Sequence, residues 1–173
     1  KHSIGVGAVA KVLGRLAGFP SHEEIFIAGL VHDIGKIVLD QFAHERFAEV
    51  IGLVRKENCL IVQAEERVLG VTHADVGAWL FEKWNLSKGI VETTRCHHNP
   101  ALASDNVQPV SIIHLADILV RAMRFGNGGD QKIPMVSEAA WNALGLDTSK
   151  FDSILQEAGE EIEKAMVFLD FIK

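Results

Sequence analysis

Apolar residues recur at intervals of three and four along almost the whole chain, and no stretch alternates steadily between apolar and polar residues. The first spacing places apolar side chains on one face of an α-helix, whereas strict alternation is typical of a half-buried strand. The pattern therefore predicts an all-α fold. Helices are expected at residues 2–18, 22–40, 44–58, 61–70, 73–85, 87–98, 108–125, 137–145 and 149–172.

Three of these helix boundaries carry chemical markers. Ser21 and Glu24 have the spacing of a capping box, which predicts the start of the second helix. Thr72 is expected to cap the helix that begins at His73. Pro100 is expected to end the helix before it, because the residue preceding a proline is pushed out of the helical region.

The length of 173 residues and the 48% content of hydrophobic residues allow one substantial core. We expect a histidine-rich part at residues 1–125, a flexible linker at 126–136 that begins with Gly126–Asp130, and two C-terminal helices within 137–173 that pack on the same domain. The helical pattern is already running at Lys1, so the chain is expected to be a piece of a longer protein.

Charge and cysteine content exclude some classes of function. The net charge of -6 is spread along the chain without a dense Lys/Arg stretch, which disfavours direct binding of nucleic acid. The chain has no signal-like start and no apolar run long enough to cross a bilayer, so a cytoplasmic protein without membrane contact is expected. The only cysteines, Cys59 and Cys96, are then reduced, and Cys96 is expected to pack rather than bind metal.

The adjacent pair His32-Asp33 stands in an otherwise apolar helical stretch, where packing alone would favour Leu or Ala. Buried polar groups must be satisfied, and a divalent metal ion is the natural partner for an imidazole and a carboxylate. A second doublet, His97-His98, and single polar residues lie on other predicted helices. The candidate metal ligands are His2, His32, Asp33, His73, His97, His98 and Asp117.

This set of ligands indicates the kind of metal. Neutral imidazoles combined with carboxylates suit iron or manganese, with zinc or nickel as alternatives, and disfavour calcium and magnesium. Seven ligands exceed what one tetrahedral zinc needs and suit two ions that share a bridging carboxylate, for which Asp33 is the obvious candidate. Taken singly, however, His2 or His73 is more often a satisfied core residue.

Other polar residues have expected roles of their own. His22 and His44 are expected at the surface. His114 shares a helix face with Asp117, and we expect it to orient a ligand. Lys36 lies on the face of His32, where it either contacts a bound phosphate or extends from the helix end into water.

The motif Leu30–Lys36 resembles the signature of the HD superfamily of metal-dependent phosphohydrolases. His2 matches the upstream histidine of that superfamily and Asp117 its downstream aspartate. The remaining histidines, His73, His97 and His98, are similar to the additional ligands of the binuclear HD-GYP branch.

Within the superfamily, the chain is most similar to HDOD domains, the HD-related output domains of bacterial signalling proteins. The stretches that carry this likeness, over about residues 1–125, are His2-Ser3, Phe26–Lys36, Gly70–Leu80 and His97–Pro100. The resemblance implies an HD-domain-like helical bundle with two extra C-terminal helices, and a further helical portion before His2. The Gly-Tyr-Pro element of the HD-GYP branch is missing, and the chain has no tyrosine.

Three functions are compatible with these residues. The first is a signal-transduction output domain whose metal site is structural or senses a ligand, with signalling proteins or a nucleotide or phosphate ligand as partners. The second is an active phosphohydrolase or phosphodiesterase acting on a nucleotide, cyclic ones included, in which Asp33 bridges the metals and Lys36 offsets phosphate charge as the catalytic residues. The third, a structural module of packed histidines, ranks last, because unpaired buried polar clusters cost several kcal/mol.

Overall fold

The computed structural model describes residues 1–170, and the last part of the expected helix 149–172 lies outside this range. The prediction of an all-α fold is confirmed: the described residues form helices without any strand. The α-helices are α1 (His2–Leu16), α2 (His22–Val31), α3 (Ile34–Phe42), α4 (His44–Glu57), α5 (Ile61–Leu69), α6 (His73–Lys83), α7 (Lys88–Cys96), α8 (Val107–Ala122), α9 (Glu138–Leu144) and α10 (Phe151–Asp170). Short 3₁₀ turns lie at Pro100–Leu102 and Thr148–Lys150.

The prediction of one continuous helix over residues 22–40 is wrong. Helix α2 ends at Val31 and α3 begins at Ile34, so that His32 and Asp33 form the turn between them. The apolar pattern runs through this turn because α2 packs on α1 whereas α3 packs on α6. Both helices need an apolar face, and periodicity alone does not reveal that the chain changes direction between them.

Helix boundaries follow the expected chemistry in part. The Thr72 side chain accepts a hydrogen bond from the Asp75 backbone and so caps α6, as predicted. Ser21 occupies the N-cap position of α2, but its side chain makes no capping hydrogen bond, so the capping box with Glu24 does not form. Helix α7 ends at Cys96, and the histidine doublet that was expected inside this helix follows it instead.

Two hydrophobic cores hold the helices together. The larger lies between α1, α2, α8 and the C-terminal helices, with Val9, Leu13 and Ile113 fully buried. The smaller joins α3, α4 and α5 around Val50 and Ile61. Helices α9 and α10 thus pack on the core that α1 and α8 build.

Glycines allow two close helix approaches that bring polar residues together. A Cβ on Gly29 would lie 2.8 Å from the Cα of Gly7, so α1 and α2 touch through their backbones. A Cβ on Gly35 would overlap the carbonyl oxygen of His73, so the start of α3 lies directly against the start of α6. These contacts place His2 near His32, and His73 near Asp33.

The glycine-rich segment expected to be a flexible linker lies against the helices. The Asp130 carboxylate accepts a hydrogen bond from the Ile61 backbone at 2.9 Å and pairs with Arg121. The Gly128 carbonyl accepts a hydrogen bond from the Lys36 ammonium at 2.6 Å. Within residues 1–170, no helix combines the length and the apolar character that crossing a membrane requires.

Candidate metal centre

The side chains of the predicted ligands converge on one buried place where several helices begin or end. They form two groups, and within each group the ligand atoms all lie within 4.8 Å of one another. The first group consists of Asp33, His73, His97 and His98. The second group consists of His2, His32 and Asp117.

Asp33 lies between the two groups and turns one oxygen toward each. Its Oδ1 is 3.1 Å from Nε2 of His73 and 3.9 Å from Nε2 of His97. Its Oδ2 is 3.4 Å from Nε2 of His32 and 3.7 Å from Nε2 of His2. This is the arrangement that a bridging carboxylate requires.

Neighbouring side chains complete each group. In the second group, Oδ1 of Asp117 lies 3.0 Å from Nε2 of His2. In the first group, Nε2 of His98 lies 3.0 Å from Nε2 of His73. The two groups therefore present imidazole nitrogens and carboxylate oxygens at short range in a buried space.

Backbone carbonyls fix the orientation of two imidazoles. Nδ1 of His32 lies 2.7 Å from the carbonyl oxygen of Gly29, and Nδ1 of His97 lies 2.7 Å from that of Thr94. A carbonyl only accepts hydrogen bonds, so Nδ1 carries the proton in both rings. The lone pair is left on Nε2, which faces the centre.

A carboxylate that the sequence interpretation missed holds His73. The Glu65 side chain is completely buried, and its Oε2 lies 2.7 Å from Nδ1 of His73 and 3.0 Å from the His73 backbone nitrogen. One signal could have found it: Glu65 follows Ile61 by four residues and Ala64 by one, on the apolar face of α5. A glutamate at that place needs a buried partner.

The hydrogen bonds of the buried ligand atoms indicate whether these residues suit a metal ion. Within residues 1–170, some buried side-chain nitrogen and oxygen atoms have no hydrogen-bond partner. Those at the centre are His2 Nε2, His32 Nε2, Asp33 Oδ1, His97 Nε2 and Asp117 Oδ1. His2 Nε2 and Asp117 Oδ1 are close, at 3.0 Å, but they do not meet in hydrogen-bond geometry. Leaving such atoms unpaired is costly, and all of them point to one place, so the donor set fits a divalent transition metal.

The pKa shifts at the centre also suit metal ligands. Burial, together with neighbouring imidazoles, holds the pKa of His97 and that of His98 well below the usual value, so both are neutral at pH 7. Burial by itself would raise the pKa of Asp33, but His32 and Lys36 outweigh it and hold this pKa well below its usual range. Neutral imidazoles and an ionised carboxylate are the forms that bind metal.

His73 differs from the other histidines of its group. Burial and the charge of Lys36 act to lower its pKa, but the neighbouring carboxylates of Asp33 and Glu65 outweigh them and raise the pKa above the usual value. Among the histidines of the first group, His73 is thus the imidazole most inclined to take up a proton.

The remaining predicted residues lie around the centre or away from it. The Lys36 ammonium donates hydrogen bonds to Asp33 Oδ2 at 2.7 Å and to the Gly128 carbonyl, at the edge of the site. His114 does not touch a ligand ring; its Nδ1 donates to the backbone carbonyl of His97 at 2.8 Å. His22 and His44 belong to neither group, and His44 is exposed.

Cavities approach the centre from both sides of the glycine-rich segment. One of about 380 Å³ borders His2 and is lined by Arg121, Arg124 and Lys132, together with Asp130, which pairs with Arg121. Another of about 470 Å³ borders Lys36 and Ile61. A small anionic ligand could reach the edge of the centre through the first.

Residues 1–100 match the HDOD domain family. An uncharacterized protein of Treponema pallidum (strain Nichols) is 28% identical over 97 residues, which are 56% of this chain. The match spans only 19% of that relative's length, so most of the relative has no counterpart here.

Solved structures share the fold. An HDOD domain protein of unknown function from Geobacter sulfurreducens is 27% identical, with a TM-score of 0.76, and the match covers 92% of this chain and 61% of that one. A protein of Marinobacter aquaeolei VT8, provisionally named a signal transduction protein, is 22% identical, with a TM-score of 0.78. The match covers 97% of this chain and 38% of that one. A provisionally named phosphohydrolase of Shewanella amazonensis SB2B is 17% identical, with a TM-score of 0.70, and the match covers 95% of this chain and 61% of that one. The last two likenesses concern the fold alone.

Proposed function

The chain belongs to the HDOD domain family, and we propose that it is a bacterial signal-transduction output domain whose centre holds two divalent transition-metal ions. One observation carries the proposal. The unpaired buried ligand atoms of both groups face one another, with the two oxygens of Asp33 divided between the groups. Packing of histidines against one another would leave these atoms unsatisfied, which argues against a purely structural module.

The two groups divide the ligands between the ions. The first ion would be held by the first group, and the second ion by the second group, with Asp33 shared between them. Iron or manganese suits this mixture of imidazole and carboxylate, with zinc or nickel as alternatives. The hydrogen bonds at Nδ1 of His32 and His97 prepare both rings for binding through Nε2.

An output domain is the first choice because the Gly-Tyr-Pro element is missing and the Lys36 ammonium already has partners. Lys36 lies between Asp33 and Gly128, so a phosphate would have to compete for it. We expect the centre to stabilise the fold or to sense a nucleotide or phosphate ligand, and signalling proteins to receive the output.

The alternative is an active phosphohydrolase or phosphodiesterase, which the basic cavity beside His2 favours. Two bound metal ions would supply Lewis acidity toward a phosphate and toward water. In this function Asp33 would bridge the ions, and Lys36 would offset negative charge on a phosphate. The cavity side chains Arg124 and Lys132 would attract the anionic substrate.

Elemental analysis of natively produced protein, purified without added metal, tests the metal centre. We expect about two equivalents of transition metal per chain, and much less in His32→Ala, which removes a ligand of the second group. His44→Ala is the matched control, because His44 is exposed and belongs to neither group. Less than one equivalent in the wild type, unchanged in His32→Ala, would contradict the proposal.

Incubation of the metal-loaded protein with cyclic dinucleotides and generic phosphodiesters separates the two functions. An output domain gives no turnover with any of several metals. Turnover that disappears in Asp33→Ala would instead establish the phosphohydrolase, because this variant removes the carboxylate shared by both groups.

A further inference from the structure

The most unusual buried group outside the ligand set is the carboxylate of Glu65. We infer that Glu65 is a positioning residue, which holds His73 for metal binding and supports the metal position of the first group alone. The inference rests on the proposed function, since it requires that the centre binds metal.

The partner of His73 differs in kind from the partners of the other oriented rings. His32 and His97 donate from Nδ1 to neutral backbone carbonyls three residues earlier, in the helices that they directly follow. His73 instead faces a charged side chain from another helix, α5, at 2.7 Å. A carboxylate behind a ligating imidazole fixes the ring and strengthens its other nitrogen as a donor.

Capping of α6 accounts for only one of the two contacts of Glu65. Its Oε2 accepts a hydrogen bond from the His73 backbone nitrogen at 3.0 Å, next to the cap that Thr72 and Asp75 form, but its shorter contact, at 2.7 Å, is with the His73 imidazole. Among residues 1–170, His73 is the only hydrogen-bond partner of the Glu65 carboxylate, and Oε1 has none. A buried carboxylate with so few partners is costly, and an apolar residue would suit this face of α5 better. Orientation of a metal ligand gives a reason for its presence.

The effect of Glu65 is confined to one group by geometry. Nε2 of His73 lies 3.1 Å from Asp33 Oδ1 and 3.0 Å from Nε2 of His98, all in the first group. No hydrogen bond or ion pair among the described residues joins Glu65 to the second group. Loss of Glu65 is therefore expected to weaken one metal position and to spare the other.

The affinities of the two metal positions can be measured by titrating the metal-depleted full chain with Mn²⁺. Electron paramagnetic resonance reports the free Mn²⁺ at each step. Glu65→Leu removes the acceptor, and we expect the affinity of one position to fall about 100-fold; Glu65→Gln keeps an acceptor oxygen without the charge, and about 10-fold is expected. The other position should stay within about threefold of the wild type. Glu66→Gln is the matched control, because this neighbouring glutamate is exposed.

Anomalous scattering from Glu65→Leu crystals grown with one equivalent of Mn²⁺ should then place the ion in the second group. Equal weakening of both positions, or unchanged binding in both Glu65 variants, would overturn the inference while the proposed metal centre stands. Wild-type protein that takes up no Mn²⁺ would overturn the proposed function itself. If Glu65→Leu does not fold, Glu65→Gln alone decides, since it keeps the size and shape of the side chain.

Discussion

Both polar doublets of the centre lie where a helix ends. Adjacent side chains on an α-helix point about 100° apart. His32 and Asp33 fall in the turn between α2 and α3, where Asp33 has φ -96° and ψ 10°. His97 and His98 likewise follow the end of α7. In both doublets the helix end allows neighbouring side chains to reach the same buried space.

Gly35→Ala should damage the centre without removing a ligand. The added methyl group would overlap the His73 carbonyl and push α3 away from α6, which separates Asp33 from His73. We expect the free energy of unfolding, measured in urea on the metal-free protein, to fall by about 1–3 kcal/mol. The amount of metal bound per chain should fall as well.

Gly52→Ala is the control for that substitution. Gly52 lies in α4 with open space around a built Cβ, so alanine should raise stability by about 0.5–1 kcal/mol through its better helix propensity. Equal effects of the two substitutions would show that the contact between α3 and α6 is not tight.

Helix α8 links the centre to the C-terminal helices. It carries Asp117 into the second group and, nearly one turn earlier, His114. Nδ1 of His114 donates to the His97 carbonyl, and its Nε2 accepts from the backbone nitrogen of Ser137, the N-cap of α9. One imidazole thus connects the chain beside a candidate ligand with the start of α9.

His114→Leu should loosen this connection. Two partly or fully buried backbone groups lose their partner, so we expect the free energy of unfolding to fall by about 2–3 kcal/mol. Amide hydrogen exchange should become faster at Ser137 and in the first turn of α9. His44→Leu serves as the exposed control, and its effect should stay within about 0.5 kcal/mol. Unchanged exchange in α9 would show that His114 does not hold it.

At the scale of the molecule, the centre joins helices that have separate hydrophobic contacts. The second group comes from α1, α8 and the end of α2, which build the larger core. Three of the four residues of the first group come from α6 and the end of α7, and α6 packs on α3. A metal pair bridged by Asp33 would therefore tie these parts together.

Metal should accordingly raise the thermal stability of the whole domain. An ion that binds only the folded state stabilises it by about 2.7 kcal/mol at a free concentration of 100 times Kd. For a chain of this size, each kcal/mol raises Tm by about 2–4 °C, so a shift of roughly 5–10 °C is expected in scanning calorimetry. A chelator should reverse the shift. A shift of the same size in Asp33→Ala would mean that metal acts at another place.

The helices and the candidate ligands could be named from the sequence because both depend on local properties of the chain. Apolar periodicity predicts where helices lie, and residue type shows which side chains are able to bind metal. The same periodicity hides the turn at His32-Asp33, because it persists through a change of direction when both flanking helices are buried. The prediction that Gly126–Asp130 is flexible considers local backbone freedom alone, whereas contacts with α3, α5 and α8 hold this segment in place.

The helical character of this protein, and the histidines and aspartates that are candidates for a metal centre, follow from the order of its residues. Their division into two groups around Asp33, and the position of Glu65 behind His73, become visible in the folded chain alone. Helix formation depends on residues a few positions apart, whereas these contacts join residues that are distant along the chain. The distance between side chains of α5 and α6, and the distance between side chains of α1 and α8, depend on how these helices pack against each other.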